Sequence, residues 1–320
     1  MQIREYRAGD EQGILELFNV VYRRKLDLGL WNWLIKENPF GEGIVRLMFD
    51  DGRLIGHYAV VPTRLCIRGK LYKAALATTK MTHPDYRRRG IFSELMSEVH
   101  ACCKENEIEV VFGFPNKNSY HGFTQRLGWC GFGSVRGWTL QRGPERSPSD
   151  PELTFERLGV SDNRVDELWI RARDRDCVIV PRTSKYIEWR YYQKPGNLYT
   201  VYCVKDQTGI LQGILVLKVY QTVDKTTGHI IDIITVDQPE IQKSLLIKAI
   251  DIFTETEIRN ISCWIPSHSP IAFQLKALGF SQDEWPIFFG VRVIDEAFAE
   301  ASFVTHSNRW WFTMGDSDVF

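Results

Sequence analysis

Arg87, Arg88 and Arg89, followed by Gly90, connect a strand-like segment to a segment with helical spacing. The apolar residues of segment 93–99 recur at the helical period. A strand that turns directly into a helix leaves main-chain N–H groups unpaired at the positive end of the helix dipole. The glycine allows close approach of a phosphate, and the arginines add cationic donors. The sequence therefore predicts an anion site suited to a pyrophosphate.

The loop reads Arg-x-x-Gly-x-Phe, unlike the Gly-Lys-Ser/Thr loop of nucleotide hydrolases or the Gly-x-Gly-x-x-Gly loop of dinucleotide folds. It resembles the coenzyme A loop of the GNAT N-acetyltransferases, as does the lead-in His-Pro-Asp-Tyr-Arg at residues 83–87. Phe92 departs from that pattern, because the family usually has a small residue there. The alternative interpretation is a basic helix start that only caps a surface turn. The resemblance implies binding of acetyl-CoA, as co-substrate, by the loop residues Arg87, Arg88, Arg89, Gly90, Ile91, Phe92 and Ser93.

Composition narrows the class of protein. The 320 residues include 40 basic and 40 acidic side chains, so no overall charge favours a nucleic acid or an anionic membrane. Seven cysteines without a Cys-x-x-Cys pair argue against a disulfide framework and a structural zinc site. No apolar run approaches the length of a membrane span. We expect a cytoplasmic protein, monomer or homodimer, that acts on a small-molecule amine and needs no metal.

The chain also repeats itself. Four segments of the first half match segments of the second half in the same order: 33–39 with 189–195, 52–56 with 209–213, 78–85 with 233–240, and 114–129 with 265–280. The offsets run only from 151 (114 to 265) to 157 (52 to 209). Four collinear matches predict a duplicated domain.

The repeat and the proline-rich segment 143–151 divide the chain. We expect an N-terminal GNAT domain with the acetyl-CoA site (1–143), a linker (144–151) and a degenerate GNAT-like domain (152–320) that ends in a tail. The resemblance implies an α/β (α+β) class: a duplicated GNAT fold with two mixed, mostly antiparallel sheets flanked by helices. Segments 110–114 and 261–265 are predicted strands. The second half has no arginine or glycine at its loop, 240–245, so only the first half should bind coenzyme A. The Arg-Arg-Arg-Gly loop in a tandem chain is similar to that of Eis-type enzymes.

A mechanism follows if the loop binds coenzyme A. The pantetheine arm would pair with the strand ending at Met81 and Thr82, and a main-chain N–H near Met81 would stabilise the oxyanion. At the position of Thr124 the family commonly has a Tyr that acts as the general acid. Tyr120 lies one helical turn earlier on the same face and is the candidate acid, unless it only packs there. Further expected coenzyme contacts are Asn116 and Ser119.

Aromatic and acidic residues are predicted to form the acceptor site. Trp31 and Trp33 lie where GNAT proteins often cover the acceptor, although packing is an equal alternative. Asp316 and Asp318 lie in an aromatic tail and would hold a cationic acceptor. The resemblance to Eis-type enzymes implies that Phe320 provides a terminal carboxylate as base; the alternative is a tail docked on its own core.

The sequence thus predicts an N-acetyltransferase that moves the acetyl group of acetyl-CoA to a primary amine, such as an amino sugar or aminoglycoside, by direct attack. One alternative is a degenerate GNAT protein that binds coenzyme A without turnover. Aminoacyl transfer from tRNA is a third possibility, disfavoured by the arginine loop and the neutral net charge.

Overall fold

The first half of the chain alternates helices and strands in the order expected for an α/β domain. The structure is a computed structural model that describes residues 1–141, 152–173, 176–196, 198–222 and 225–320. The strands of the first half are β1 (Gln2–Glu5), β2 (Ile44–Asp50), β3 (Arg53–Ile67), β4 (Lys70–Thr82), β5 (Val110–Gly113) and β6 (Cys130–Leu140). Its helices are α1 (Glu11–Tyr22), α2 (Leu28–Ile35), α3 (Ile91–Glu105) and α4 (Lys117–Arg126), with a 3-10 turn at Pro84–Tyr86.

The second half repeats this order. Its strands are β7 (Thr154–Arg157), β8 (Val178–Ile179), β9 (Thr200–Lys205), β10 (Leu211–Gln221), β11 (Thr226–Thr235), β12 (Ile261–Cys263) and β13 (Ser281–Val293). Its helices are α5 (Arg164–Ala172), α6 (Ser184–Ile187), α7 (Pro239–Glu255), α8 (Pro270–Ala277) and α9 (Ala301–Val304), with a π-helix at Glu188–Tyr192 and 3-10 turns at Ser307–Arg309 and Met314–Asp316. None of the helices in the described ranges is long and apolar enough to cross a membrane.

The two sheets expected from the sequence are joined into one. In the described residues the strand order is β1-β2-β3-β4-β5-β13-β6-β12-β11-β10-β9-β7, and β8 pairs with β3. The last strand of each half therefore lies in the sheet of the other half: β13 pairs with β5, and β6 pairs with β12. This exchange covers strand edges that would otherwise expose unpaired N–H and C=O groups. The predicted linker 144–151 lies outside the described residues, and the domain boundaries stay predictions.

Pairing confirms the duplicated, mostly antiparallel fold. Each half contains one parallel crossover, β4–α3–β5 in the first and β11–α7–β12 in the second. The other strand pairs are antiparallel in the described part of the chain. The predicted strands at 110–114 and 261–265 and the helix after Gly90 are present. A parallel pair needs a crossover, so the arginine loop lies at the turn from β4 into the crossover helix.

Helices cover both faces of the first half of the sheet. Successive side chains of a strand point to opposite faces, so Tyr58 and Val60 of β3 pack with α3, whereas Ala59 and Val61 pack with α1 and α2. The buried side of α3 consists of Ile91, Leu95, Met96, Val99 and Cys103. This packing fixes the start of α3 beside the end of β4.

The chain end is docked into the core. Trp310, Trp311 and Phe312 are buried, and the Trp311 main-chain N–H donates to the Val178 carbonyl at 2.9 Å. The tail is therefore docked on its own core, which was the alternative to a catalytic tail. Its last residues reach the opening between β4 and the second half.

Candidate active site

The arginine loop presents main-chain and side-chain donors at the start of α3. Arg88 (φ 64°) and Gly90 (φ 82°) are both left-handed, a conformation that glycine tolerates and arginine rarely adopts. Gly90 is the N-cap of α3 and provides no side-chain cap for the first N–H groups. Arg87, Arg88, Arg89 and Ser93 are exposed around it. This arrangement fits an anionic group such as a pyrophosphate.

The side chains of Ile91 and Phe92 point away from the loop. Ile91 is buried, and the Phe92 ring lies 5.7 Å from the Tyr58 ring and 5.2 Å from the Phe123 ring, centroid to centroid. These residues can therefore offer only main-chain N–H groups to a ligand. The bulky Phe92, which departs from the family pattern, leaves the loop open because its ring packs into the core.

Strands β4 and β5 separate beyond a short parallel stretch. Their pairing ends at Leu76 and Phe112, while β4 continues to Thr82. A side chain at Gly113 would place its Cβ only 3.3 Å from both the Cβ and the carbonyl oxygen of Ala77, so the two strands are still tightly packed just after their pairing ends. The gap beyond this point is bordered by β4 and by the start of α4.

A bulge in β4 lies at this gap. The register with β3 shifts between His57 and Ala59, and Thr79 has φ 44°, a strained value for a β-branched residue. The His57 Nδ1 lies 2.7 Å from the Thr79 carbonyl oxygen, which can only accept, so Nδ1 carries the proton. Burial lowers the pKa of His57 to about 4, which keeps the ring neutral. The buried His57 side chain thus stabilises the bulge through its hydrogen bond to the Thr79 carbonyl oxygen.

A cavity of about 470 Å³ opens at the bulge. Its walls come from α1 and α2, from β4, from the π-helix of the second half and from the tail. Among the predicted site residues, the cavity brings together Trp31, Trp33, Asn116, Ser119, Asp316 and Asp318. The volume lies in the range of small-molecule sites.

Asp318 lies next to the bulge. Its carboxylate accepts a hydrogen bond from the Thr78 hydroxyl at 2.7 Å, and Asp318 itself is exposed. Burial raises the pKa of Tyr22 to about 12, with a smaller contribution from the charge of Asp318, and the Tyr22 hydroxyl donates to the Lys80 carbonyl oxygen at 2.8 Å. Burial lowers the pKa of Lys80, whereas Asp318 opposes that change. A carboxylate thus faces the cavity where β4 and β5 diverge.

Asp316 lines the cavity but is occupied by an ion pair. Arg182 donates to its two carboxylate oxygens at 2.8 and 2.7 Å and to Asp232 at 2.6 Å. All three side chains are almost completely buried. Burial raises the pKa of Asp316 despite the opposing effect of Arg182. Asp316 therefore anchors the tail, and it leaves Asp318 as the carboxylate available to an acceptor.

Phe320 is held away from the cavity lining. Its main-chain oxygen accepts hydrogen bonds from Arg190 at 2.7 Å and from Lys194, and its ring packs against Trp264 and His229. An oxygen that already accepts two hydrogen bonds is a poor base. The geometry gives no support to the predicted catalytic role of Phe320.

The predicted acid and oxyanion donor also lie outside the cavity lining. The Tyr120 hydroxyl accepts from the Gly133 N–H at 2.8 Å, and its ring lies 4.7 Å from the Phe288 ring. Met81 is buried among the residues under α1, and neither it nor Thr82 lines the cavity. The residues of β4 that do so are Leu76 and, at the bulge one to three positions before Met81, Thr78, Thr79 and Lys80.

Sequence analysis missed several residues of the site. These are Tyr22, Thr78, Lys80, Arg190 and Lys194, all of which line the cavity. A signal was present for four of them: the repeated segment 78–85 contains Thr78 and Lys80, and the Trp189–Pro195 match contains Arg190 and Lys194. Nothing in the sequence marks Tyr22.

Comparison with known proteins identifies the first domain. Residues 2–131 match the acetyltransferase (GNAT) domain family. No curated protein sequence matches the chain.

Solved structures match nearly the whole chain. A GCN5-related N-acetyltransferase from Anabaena variabilis shares 14% identity over 92% of this chain and 73% of its own, with a TM-score of 0.73. Eis1 from Mycobacterium abscessus shares 16% identity over 96% and 76%, with a TM-score of 0.63. A tandem GNAT protein from the clavulanic acid biosynthesis pathway shares 15% identity over 92% and 99%, again with a TM-score of 0.63. Residues 2–131 therefore match a GNAT acetyltransferase domain, and the chain as a whole has the fold of these solved structures.

Proposed function

We propose that the protein is an N-acyltransferase that moves an acetyl group from acetyl-CoA to the primary amine of a small acceptor by direct attack. One observation carries the proposal: the Asp318 carboxylate faces the cavity where β4 and β5 diverge and accepts a hydrogen bond from Thr78. Thr78 lies on β4, the strand that leads into the arginine loop. A base for the amine and an anion site for the donor are thus connected by one strand.

Acetyl-CoA supplies an acyl group on a thioester. Arg87, Arg88, Arg89 and the first N–H groups of α3 fit its pyrophosphate, and Asn116 and Ser119 line the cavity on the side of α4. The main-chain N–H groups of the bulge are the candidates to stabilise negative charge on the carbonyl oxygen, a contribution of about 3 kcal/mol for one preorganised donor.

Asp318 and Ser119 have different roles in the proton transfers. The carboxylate accepts the proton of the attacking amine, and the Thr78 hydroxyl orients it. The Ser119 hydroxyl, in place of that of Tyr120, lies in the cavity to hydrogen-bond the leaving sulfur. With a thiol pKa of about 8.5 the thiolate is a good leaving group, so its departure does not require a strong acid.

A coenzyme A-binding protein without turnover is the second candidate. The observation that favours it is the position of Tyr120, whose hydroxyl is bound by the Gly133 N–H outside the cavity lining. This candidate shares the donor site with the first and differs only in its lack of reaction.

The test is calorimetric titration with acetyl-CoA and desulfo-CoA, followed by thiol release with amine acceptors. Micromolar binding should be lost in Arg88→Glu/Gly90→Asp. Arg7→Glu/Gly9→Asp is the matched control, because it has the same spacing and a left-handed glycine (φ 102°) outside the site. Absence of binding by the wild type would refute both candidates, and binding without thiol release from any amine would favour the second.

A further inference from the structure

The cavity contains more cationic than anionic side chains. In the described part of the chain, its charged lining residues are Arg24, Lys25, Lys80, Arg190, Lys194, Asp316 and Asp318. A site for a polycationic acceptor, such as an aminoglycoside, would need the opposite balance.

The deep part of the cavity is already neutral. Arg182 pairs with both Asp232 and Asp316, and Arg190, which donates to the Gly315 carbonyl oxygen at 2.9 Å, brings the formal charge of these four side chains to zero. Burial lowers the pKa of Lys194 to about 5, so this amine adds no charge near neutral pH. An incoming ligand therefore meets the other charged residues.

Those residues are one carboxylate, Asp318, and three basic side chains, Lys80, Arg24 and Lys25. Burial lowers the pKa of Lys80, and the adjacent charge of Asp318 opposes that change. Among the residues that the structure describes, no carboxylate lies within 4 Å of these three cationic groups. Lys80 follows the bulge, on the same strand as Thr78, and Arg24 and Lys25 are exposed at the rim. If an ammonium group pairs with Asp318, the three cations still need an anion.

A large part of the uncharged wall is apolar and aromatic. Trp33 and Trp189 stack at 4.6 Å, and Leu30, Leu76 and Phe114 also line the cavity. These surfaces suit an apolar side chain better than a polyhydroxylated sugar.

We propose that the acceptor is an amino carboxylate with an apolar or aromatic side chain, such as a hydrophobic amino acid. Its ammonium group pairs with Asp318, its carboxylate with Lys80 and the rim cations, and its side chain lies on the aromatic wall. The inference rests on the proposed acyl transfer and replaces the amino sugar expected from the sequence.

The reaction balances with the residues present. Asp318 takes a proton from the acceptor ammonium, the freed nitrogen forms a bond to the acyl carbon, and the carbon–sulfur bond breaks. The second nitrogen proton passes to the leaving sulfur, so coenzyme A leaves as the thiol, and the proton on the exposed Asp318 passes to solvent. The acceptor carboxylate is unchanged. The product is an N-acyl amino acid, which carries one more net negative charge than its zwitterionic precursor.

The experiment measures acceptor binding without turnover. Phenylalanine, phenethylamine, 3-phenylpropionate and kanamycin are titrated into protein saturated with desulfo-CoA and into free protein. Phenylalanine should bind most tightly. Lys80→Met should weaken phenylalanine binding about tenfold and leave phenethylamine unchanged, because only phenylalanine loses a charged hydrogen bond. Lys73→Met is the control: Lys73 lies on the same strand, is partly exposed and is paired with Glu107 outside the cavity.

The outcomes separate the two proposals. Tighter binding of phenethylamine or kanamycin than of phenylalanine overturns the acceptor class and leaves acyl transfer intact. An equal effect of Lys80→Met on phenylalanine and phenethylamine also overturns it. Failure to bind desulfo-CoA overturns acyl transfer itself, and the affinities measured in free protein then still decide which acceptor charge the cavity prefers.

Discussion

The indole rings of Trp33 and Trp189 stack on each other with 4.6 Å between centroids and 15° between planes. The Trp33 N–H donates to the Trp189 carbonyl oxygen at 2.9 Å, and the Trp189 N–H donates to the Trp33 carbonyl oxygen at 3.3 Å. The two residues begin equivalent segments of the internal repeat. The duplication thus places one residue of each half against its counterpart, and the pair forms part of the cavity wall.

The buried cluster of Arg182, Asp232 and Asp316 should be essential to the docked tail. Arg182→Met leaves two buried carboxylates without a cation, which we expect to lower the free energy of unfolding by about 3–5 kcal/mol. The companion variant Arg182→Met/Asp232→Asn/Asp316→Asn removes all three charges and should recover most of that loss. Urea denaturation of both variants measures this. A loss below about 1 kcal/mol in Arg182→Met would show that the cluster does not anchor the tail.

His57 should act as a positioning residue through the bulge. His57→Asn keeps an N–H donor near the Thr79 carbonyl oxygen, whereas His57→Leu removes it. If acyl transfer is the activity, we expect kcat to fall about 10- to 100-fold in His57→Leu with little change in coenzyme A affinity. The bulge N–H groups would lose part of their orientation, at about 1.4 to 2.7 kcal/mol of the barrier, less than the loss of a donor outright. His57→Asn should retain most of the activity. Equal losses in both variants, or a parallel loss of coenzyme A binding, would contradict the assignment.

His100 should make stability depend on acidity. Burial, assisted by the charge of Arg292, lowers its pKa to about 4 in the folded protein, against about 6.5 when unfolded. Between these values only the unfolded state binds the proton, so stability falls as the pH drops from about 6.5 to 4. The difference in the free energy of unfolding between His100→Phe and the wild type should therefore be about 2 kcal/mol more favourable to the variant at pH 5 than at pH 7.5. Urea denaturation at the two pH values tests this; identical differences at both would refute it.

Local patterns predicted the elements that build the site. The apolar spacing after Gly90 and the turn chemistry before it depend on neighbouring residues, so the loop, α3 and the repeat could be read from the sequence. The exchange of β6 and β13 could not, because strand pairing across the halves depends on contacts more than 120 residues apart. The joined sheet therefore appears only in the structure.

Tyr120 shows the same limit at the level of one side chain. Helical spacing correctly places it on the face of Thr124, whose hydroxyl donates to the Tyr120 carbonyl oxygen at 3.1 Å. That spacing does not say which face of α4 meets the sheet. The structure turns this face toward Gly131 and Gly133 of β6, where a Cβ at Gly131 would collide with the Tyr120 hydroxyl. The role of a helical residue thus depends on packing that periodicity alone cannot determine.

Asp318 should act as the base of the proposed transfer. Asp318→Asn preserves the shape of the side chain and an oxygen that can accept from Thr78, but it cannot take a proton. We expect kcat to fall about 10²- to 10⁴-fold near neutral pH, with coenzyme A affinity unchanged. Activity should partly return as the pH rises, because a neutral acceptor amine no longer needs a base. Glu42→Gln, an exposed carboxylate outside the cavity, is the control. A variant with wild-type kcat, or one whose pH profile keeps the wild-type shape, would remove Asp318 from the mechanism.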